Sequence, residues 1–273
     1  MIQDIFPHKF NNRYDPDATA QAWDFILRFC GNRLLVIAET DFFRFPTAAE
    51  LGDGCFTYLF TVDQERYFLS TGDVTLSEHM EYMEIQVLRK ASPMPKHRIF
   101  AAITGKHLAD WYRDAQFCGR CGKKMAHSSR ERAMVCHGCG NTVYPRIMPA
   151  VIVGVRNGDR LLLTRYRTGF PHNALIAGFT EIGETLEETV VREVMEEAGL
   201  KVKNIQYYKS QPWGLANDIL AGFYCDVDGD TEIHMDAQEL RLAKWTAREE
   251  IDLQPDDFSL TNEMMKEFKE GRQ

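Results

Sequence analysis

GFTEIGETLEETVVREVMEEAGL, residues 178–200, holds seven glutamates in twenty-three positions and opens on a glycine-bearing turn. Thr185 followed three positions later by Glu188 is a capping-box signature, and Gly199 falls where a helix would stop. Leu186, Val190, Val191, Val194 and Ala198 recur at helical spacing and are expected to form the buried stripe. That leaves Glu193 and Glu197 one turn apart, with Glu196 beside them. Like charges at this spacing destabilise an isolated helix by roughly 0.2–0.5 kcal/mol per pair, so cations are expected to offset them. Arg192 neutralises part of the charge, and oxygen-rich clusters suit magnesium or manganese, which bind a few carboxylates together with substrate phosphates.

The surrounding chain has 273 residues, is 44% hydrophobic and carries a net charge of −8. It is long enough for one large or two modest domains with ordinary cores. The acidic balance argues against broad binding to nucleic acid or anionic membranes, although it permits a local basic patch. The opening MIQDIFPHKF has neither a basic flank nor an apolar run, and no stretch approaches the roughly 18 apolar residues of a membrane span. A cytoplasmic protein with no membrane partner is the expectation.

Two CxxC pairs, Cys118 with Cys121 and Cys136 with Cys139, sit on matching glycine-bearing turns fourteen residues apart. Four thiolates so placed can close around Zn²⁺ as a structural site that leaves no open metal position. Cys30, Cys55 and Cys225 read as small apolar fillers.

Before this segment, RLLVIA (33–38), CFTYLFTV (55–62) and EIQVLRK (84–90) read as strands of a mixed sheet, and residues 95–117 as a helix weakened by Gly105. After it, AVIVGV and RLLLTRY flank a turn, and strands follow near ALIAGF, KNIQYYKSQPW, ILAGFYCDV and LAKWTA. Helices near residues 186–198 and 261–269 complete an α+β domain. The expected organisation is an N-terminal domain at 1–112, a ribbon at 113–145 and a third domain at 146–273.

A glutamate-rich helix alone is more often a solvated face. The full spacing says more: Gly178, five residues, Glu184, seven residues, then Arg192, Glu193, Val194, one residue, Glu196, Glu197, one residue, Gly199 and Leu200. This matches the Nudix box at every defined position, and the chain resembles a Nudix hydrolase. The resemblance implies an α/β/α sandwich around a mixed sheet and hydrolysis of a pyrophosphate bond. It further implies that Glu193 and Glu197 are Mg²⁺ or Mn²⁺ ligands and that Glu196 is a further ligand or the base. Glu184 and Arg192 would brace the loop against the helix, the carbonyl of Ala177 or Gly178 would add a ligand, and Glu239 would complete the metal cage.

With its four-cysteine ribbon and the stretch SQPW, the chain is similar to the bacterial NADH pyrophosphatases. That likeness implies cleavage of NAD(H) to nicotinamide mononucleotide and AMP, and the same chemistry would remove an NAD cap from RNA. It also implies that Phe179 and Tyr144 sandwich adenine, with Tyr144 reaching across a homodimer. Glu131, Gln211, Trp213 and the helix start near Thr261 would line the site. Trp245 reads as core. Here SQPW continues as Gly214, Leu215 and Ala216 where the family has PFP, and Asp218 stands where the family often has serine. ADP-ribose, FAD and diadenosine polyphosphates therefore stay open as substrates, and a catalytically silent nucleotide- or RNA-binding protein is the reading from another class. Arg120, Lys123, Lys124, Arg130 and Arg132 make the ribbon locally basic, suited to RNA phosphates or simply to solvent.

Overall fold

The computed structural model describes residues 1–52, 54–91, 94–169 and 171–273. Two compact units result: Ile2–Arg146 with the turn Gly214–Asn217, and Met1 with Ile147–Trp213 and Asp218–Gln273. Among the described residues no helix is long and apolar enough to cross a membrane.

In the first unit, strands Phe10–Asn11, Phe56–Val62, Glu65–Ser70 and Phe25–Leu27 form a sheet in that spatial order. Its last pairing is parallel and the others antiparallel, so the mixed sheet read from the sequence is present. Arg33–Ala38 is central to a second, antiparallel sheet. The segment EIQVLRK departs from its expected strand. Pairing ends at Glu84, and Ile85–Ala91 is helical. Ile85, Leu88 and Arg89 are buried, at spacings of three and four that suit a helix and not the alternation of a strand. Helix α1, Lys96–Asp114, runs unbroken through Gly105. Cys225 is buried as expected, whereas Cys30 and Cys55 are exposed and fill no core.

The ribbon is a small antiparallel sheet of Ala126–His127, Met134–Val135 and Thr142–Val143, with Met134–Val135 in the middle. Its two turns are built alike. Cys118 N donates to Lys123 O and Gly122 N to Cys118 O, and Cys136 N donates to Asn141 O and Gly140 N to Cys136 O, all at 2.8 Å.

The second unit is a six-stranded sheet. Its strands are β1 (Met148–Asn157), β2 (Arg160–Tyr166), β3 (Ile176–Phe179), β4 (Val202–Trp213), β5 (Asp218–Val227) and β6 (Leu240–Ala247). The order is β4-β5-β1-β2-β6, with β3 also on β1; β1 and β5 pair in parallel and the other pairings among the described residues are antiparallel. Helix α2, Leu186–Ala198, covers one face through Val190, Val194 and Ala198, which pack on Val151, Val153, Ile176 and Phe223. Helix α3, Leu260–Lys269, covers the other through Leu260, Met264, Met265 and Phe268 against Ile152, Leu163 and Tyr224. Each such Val, Leu, Met or Phe side chain, fully buried, stabilises the fold by about 1.5–3 kcal/mol. The result is an α/β/α sandwich. Trp245 packs against the α2-side core and donates its Nε1–H to Thr231 O at 2.8 Å. Val191, expected in the buried stripe of α2, is 44% exposed. It lies one residue round from Val190, off the arc that meets the sheet.

Candidate active site

Helix α2 begins as its sequence dictates. Thr185 Oγ1 accepts from Glu188 N at 3.2 Å, and Glu188 Oε2 accepts from Thr185 N at 2.7 Å. At the far end Gly199 takes a left-handed φ of 68° and its N–H closes on Met195 O. Both ends fixed, the helix holds its polar face toward the loop that follows β3.

Arg192 organises that face. Nε donates to Glu184 Oε1 (2.6 Å), Nη2 to Glu184 Oε2 and to Phe179 O (both 2.9 Å), and Nη1 to Glu193 Oε1 (2.7 Å) and Glu196 Oε2 (3.0 Å). All five guanidinium donors are engaged. Glu184 also accepts from Glu181 N and from Thr189 Oγ1, each at 3.0 Å. The Arg192 guanidinium, with those donors, holds the Glu184 carboxyl down at about 2. Loop and helix are thus braced by Glu184 and Arg192.

Glu193 and Glu196 share a single Nη1 of Arg192, and Glu197 has no cationic partner among the described residues. Glu197 is 2% exposed. Burial first, then the charges of Glu193 and Glu239, push it up to about 8 against the opposing hydrogen bonds from Ala177 N and Tyr166. Burial also raises Glu193, with Arg192 opposing and Glu196 and Glu239 adding to the rise. Gly178 is what lets Glu193 sit there: a Cβ on Gly178 would fall 1.9 Å from Glu193 Cδ. Ala177 lies beside it on β3, paired with Ile152. Glu239 is exposed in the turn before β6, where its carbonyl accepts from Arg167 N. Two half- to fully buried acids repelling one another beside a backbone edge form a donor set that fits a hard divalent cation. Tyr166 was not singled out in the sequence. Its hydroxyl lies 3.4 and 3.5 Å from the two Glu197 oxygens.

A second group lies on the α3 face. Residues paired across neighbouring strands point to the same side. Phe179 pairs with Ala150, Ala150 and Met148 with Leu220 and Asp218, and Gln211 and Trp213 with the same two residues from β4. Phe179, Asp218, Gln211 and Trp213 therefore share one face at one end of the sheet. Phe179 is 48% exposed, available for stacking. Gln211 is buried and its amide bridges Phe258 O and Leu260 N, so it fastens the start of α3, where Thr261 lies, to β4. Asp218 is buried, its Oδ1 has no hydrogen-bond partner among the described residues, and burial pushes its carboxyl up to about 7.

In the ribbon, the exposed Tyr144 donates to Glu131 Oε1 at 2.9 Å. The Sγ atoms of Cys118, Cys121, Cys136 and Cys139 all lie within 4.8 Å of one another, with Cys118–Cys139 at 3.6 Å and Cys121–Cys136 at 3.5 Å. Four sulfurs about 2.3 Å from one tetrahedral zinc stand roughly 3.8 Å apart, whereas a disulfide needs about 2.05 Å. The cluster is a structural zinc site. Of the basic ribbon residues, Arg132 is committed inward, donating to Leu59 O and Asn12 Oδ1.

Comparison with known proteins agrees with this geometry. Residues 146–268 match the NUDIX domain family, and residues 113–144 match the NADH pyrophosphatase zinc ribbon domain. The chain is 42% identical over 165 residues to a Photorhabdus laumondii protein named NAD-capped RNA hydrolase NudC, covering 60% of this chain and 63% of that one. It is 46% identical over 154 residues to the Erwinia tasmaniensis protein of the same name, covering 55% and 58%. The match thus spans about three fifths of the length of these curated relatives. A NUDIX hydrolase crystal structure from Nitrosomonas europaea superimposes over 57% of this chain and 92% of that one, with a TM-score of 0.51 at 21% identity, and so shares the fold.

Proposed function

We propose that this chain, a Nudix domain behind an NADH-pyrophosphatase zinc ribbon, hydrolyses the pyrophosphate bond of NAD(H) to nicotinamide mononucleotide and AMP. We extend the proposal to removal of the NAD cap from RNA. The observation that carries it is the buried Glu197, without a cationic partner among the described residues and exposed to the charges of Glu193 and Glu239, with Glu193 seated over Gly178. The names of the relatives supply the substrate class.

In this reading Glu193 and Glu197, with Glu196, Glu239 and the Ala177 carbonyl, hold Mg²⁺ or Mn²⁺. Such ions polarise phosphoryl oxygens and lower the pKa of water. The protein's own groups do the rest. Arg192 fixes the direction of Glu193 and Glu196, and Tyr166 and Ala177 N fix Glu197. One water adds across the bridge: its oxygen joins one phosphorus, the bridging oxygen leaves on the other, and the proton goes to a carboxylate of the cluster. Phe179 and a Tyr144 supplied within a cytoplasmic homodimer stack the adenine, a contact worth about 1–3 kcal/mol per base in nucleic-acid systems. Trp213, Asp218, Glu131 and the start of α3 at Thr261 line the remainder. The intact glutamate set weighs against a silent binding protein.

The test is a substrate panel of NADH, NAD⁺, ADP-ribose, FAD, diadenosine polyphosphates and NAD-capped RNA, with products weighed by mass spectrometry. The proposal expects NAD-type substrates to lead by at least tenfold in kcat/KM; equal rates across the panel would reject dinucleotide selectivity.

A further inference from the structure

The first unit holds a cavity of about 230 Å³ that shares only Tyr144 with the site above. Trp111 and His107 on α1, Phe117 and Tyr144 of the ribbon, Arg146 just after it, and Asn217 line it. Two of these groups are unsatisfied: among the described residues the buried Trp111 Nε1–H and the buried Asn217 Oδ1 have no hydrogen-bond partner. Buried polar groups without partners are uncommon and each calls for an explanation. The rings of Phe117 and Tyr144 are 63% and 56% exposed at the same cavity. Asp114, also on the wall, is paired with Arg113 at 3.0 Å, whereas no ion pair engages the Arg146 guanidinium among the described residues.

The departure from PFP explains how Asn217 reaches this wall. A Cβ at Gly214 would lie 2.5 Å from Ile103 O and 3.0 Å from His107 Cβ, so only glycine lets the 214–217 turn rest on α1. Asn217 then closes the turn with φ 59°, a conformation asparagine tolerates. His107 Nε2 completes the wall with a 2.7 Å hydrogen bond to Arg146 O.

We propose that this cavity receives a nucleobase of single-stranded RNA, the one that follows the adenosine stacked on Tyr144. The proposal rests on the NAD-cap reading and names how that site takes RNA. The volume admits one planar ring system and falls short of the roughly 300–1,000 Å³ that encloses a whole drug-sized ligand. Flat aromatic walls stack a base, Asn217 Oδ1 accepts from an exocyclic amine, the Trp111 indole N–H donates to a ring nitrogen or carbonyl, and Arg146 takes the adjoining phosphate.

The test uses the full-length protein with Phe117→Ala, at an exposed position, and Asn217→Gly, which suits the left-handed backbone. Affinity for a 3′-labelled, 5′-monophosphorylated single-stranded RNA is read by fluorescence anisotropy, with free AMP as competitor, and steady-state NADH hydrolysis is measured in parallel. Phe117→Ala is expected to bind RNA roughly 5- to 100-fold more weakly, the range a lost stacking contact gives, and Asn217→Gly roughly 2- to 10-fold more weakly, the range of one lost hydrogen bond, with NADH kcat and KM within about twofold of wild type. Wild-type RNA affinity in both variants overturns the proposal. So does AMP that competes as well as RNA, or a matching rise in NADH KM, either of which would assign these residues to the cap subsite. Absence of NADH hydrolysis in the wild type would defeat the proposed function while the RNA-binding comparison still gave its own answer.

Discussion

Gly178 lies directly beneath the Glu193 carboxyl, so that a methyl group on Gly178 would occupy the space now filled by Glu193 Cδ, 1.9 Å away. The pairing of Gly178 with Val151 fixes the strand, so it is the Glu193 carboxyl, at the end of a flexible side chain, that must move, against its hydrogen bond from Arg192. Gly178→Ala is therefore expected to push the carboxylate from its place and lower kcat about 100-fold, the cost of an ångström-scale misplacement. Circular dichroism and gel filtration should show the fold retained. Activity within threefold of wild type would mean that Glu193 is not held where the reaction needs it.

Arg192→Lys keeps the charge but offers three rotatable donors in place of a five-donor planar fork. Glu184 loses its paired contact, and Glu193 and Glu196 lose a shared neighbour. Hydrogen bonds to charged groups contribute about 1.5–3 kcal/mol, so a loss of about 2 kcal/mol in chemical denaturation is expected, with a higher Mn²⁺ requirement for turnover. Unchanged stability and metal dependence would show the network to be ornamental to the site.

The pH dependence of metal binding follows from Glu197. Its carboxyl ionises near 4.3 when unfolded and at about 8 in the folded, metal-free protein. The native state therefore retains a proton that the unfolded state has lost. Its stabilising effect is fully present below about pH 4 and is lost as pH rises through about 8. A divalent cation binds the ionised form and displaces that proton. The thermal shift produced by Mn²⁺ should thus grow from about pH 5 to about pH 8, and Glu197→Gln should flatten it. A shift independent of pH, measured by differential scanning fluorimetry, would contradict this assignment.

Loss of zinc acts on a different part of the chain. Cys136→Ser removes one thiolate from a cluster whose sulfurs lie 3.5–3.6 Å apart in its two close pairs. Structural zinc sites couple ligand loss to local unfolding. Elemental analysis should show less than one zinc per chain, and limited proteolysis should open residues 113–144. A ribbon that stays protease-resistant without metal would mean that its short strands suffice alone.

Much of this architecture was legible in the sequence, because the box and the paired CxxC turns act through local spacing. Thr185, Glu188 and Gly199 bound α2, and Arg192, Glu193 and Glu197 share its polar face, all within one continuous segment. What was not legible depends on pairing between distant segments. Tyr166 reaches Glu197 from thirty-one residues away, and a tyrosine at the end of an apolar strand reads as core. The common face of Phe179, Trp213 and Asp218 requires the parallel register of β1 on β5, which no local pattern encodes. EIQVLRK misled because strand and helix meet at Glu84, so a window spanning both shows neither period cleanly. Val191 misled because it lies three residues before Val194 and Val190 lies four before it, and both spacings fit a helical stripe.

The most direct measurement is hydrolysis of NADH by the wild-type chain and by Glu197→Gln across a Mn²⁺ titration, with products identified by mass spectrometry. The account predicts nicotinamide mononucleotide and AMP from the wild type only when a divalent ion is added, and a loss of at least 100-fold in kcat for the folded variant. Turnover by Glu197→Gln at the wild-type rate, or by wild type with the ribbon zinc as its only metal, would contradict it.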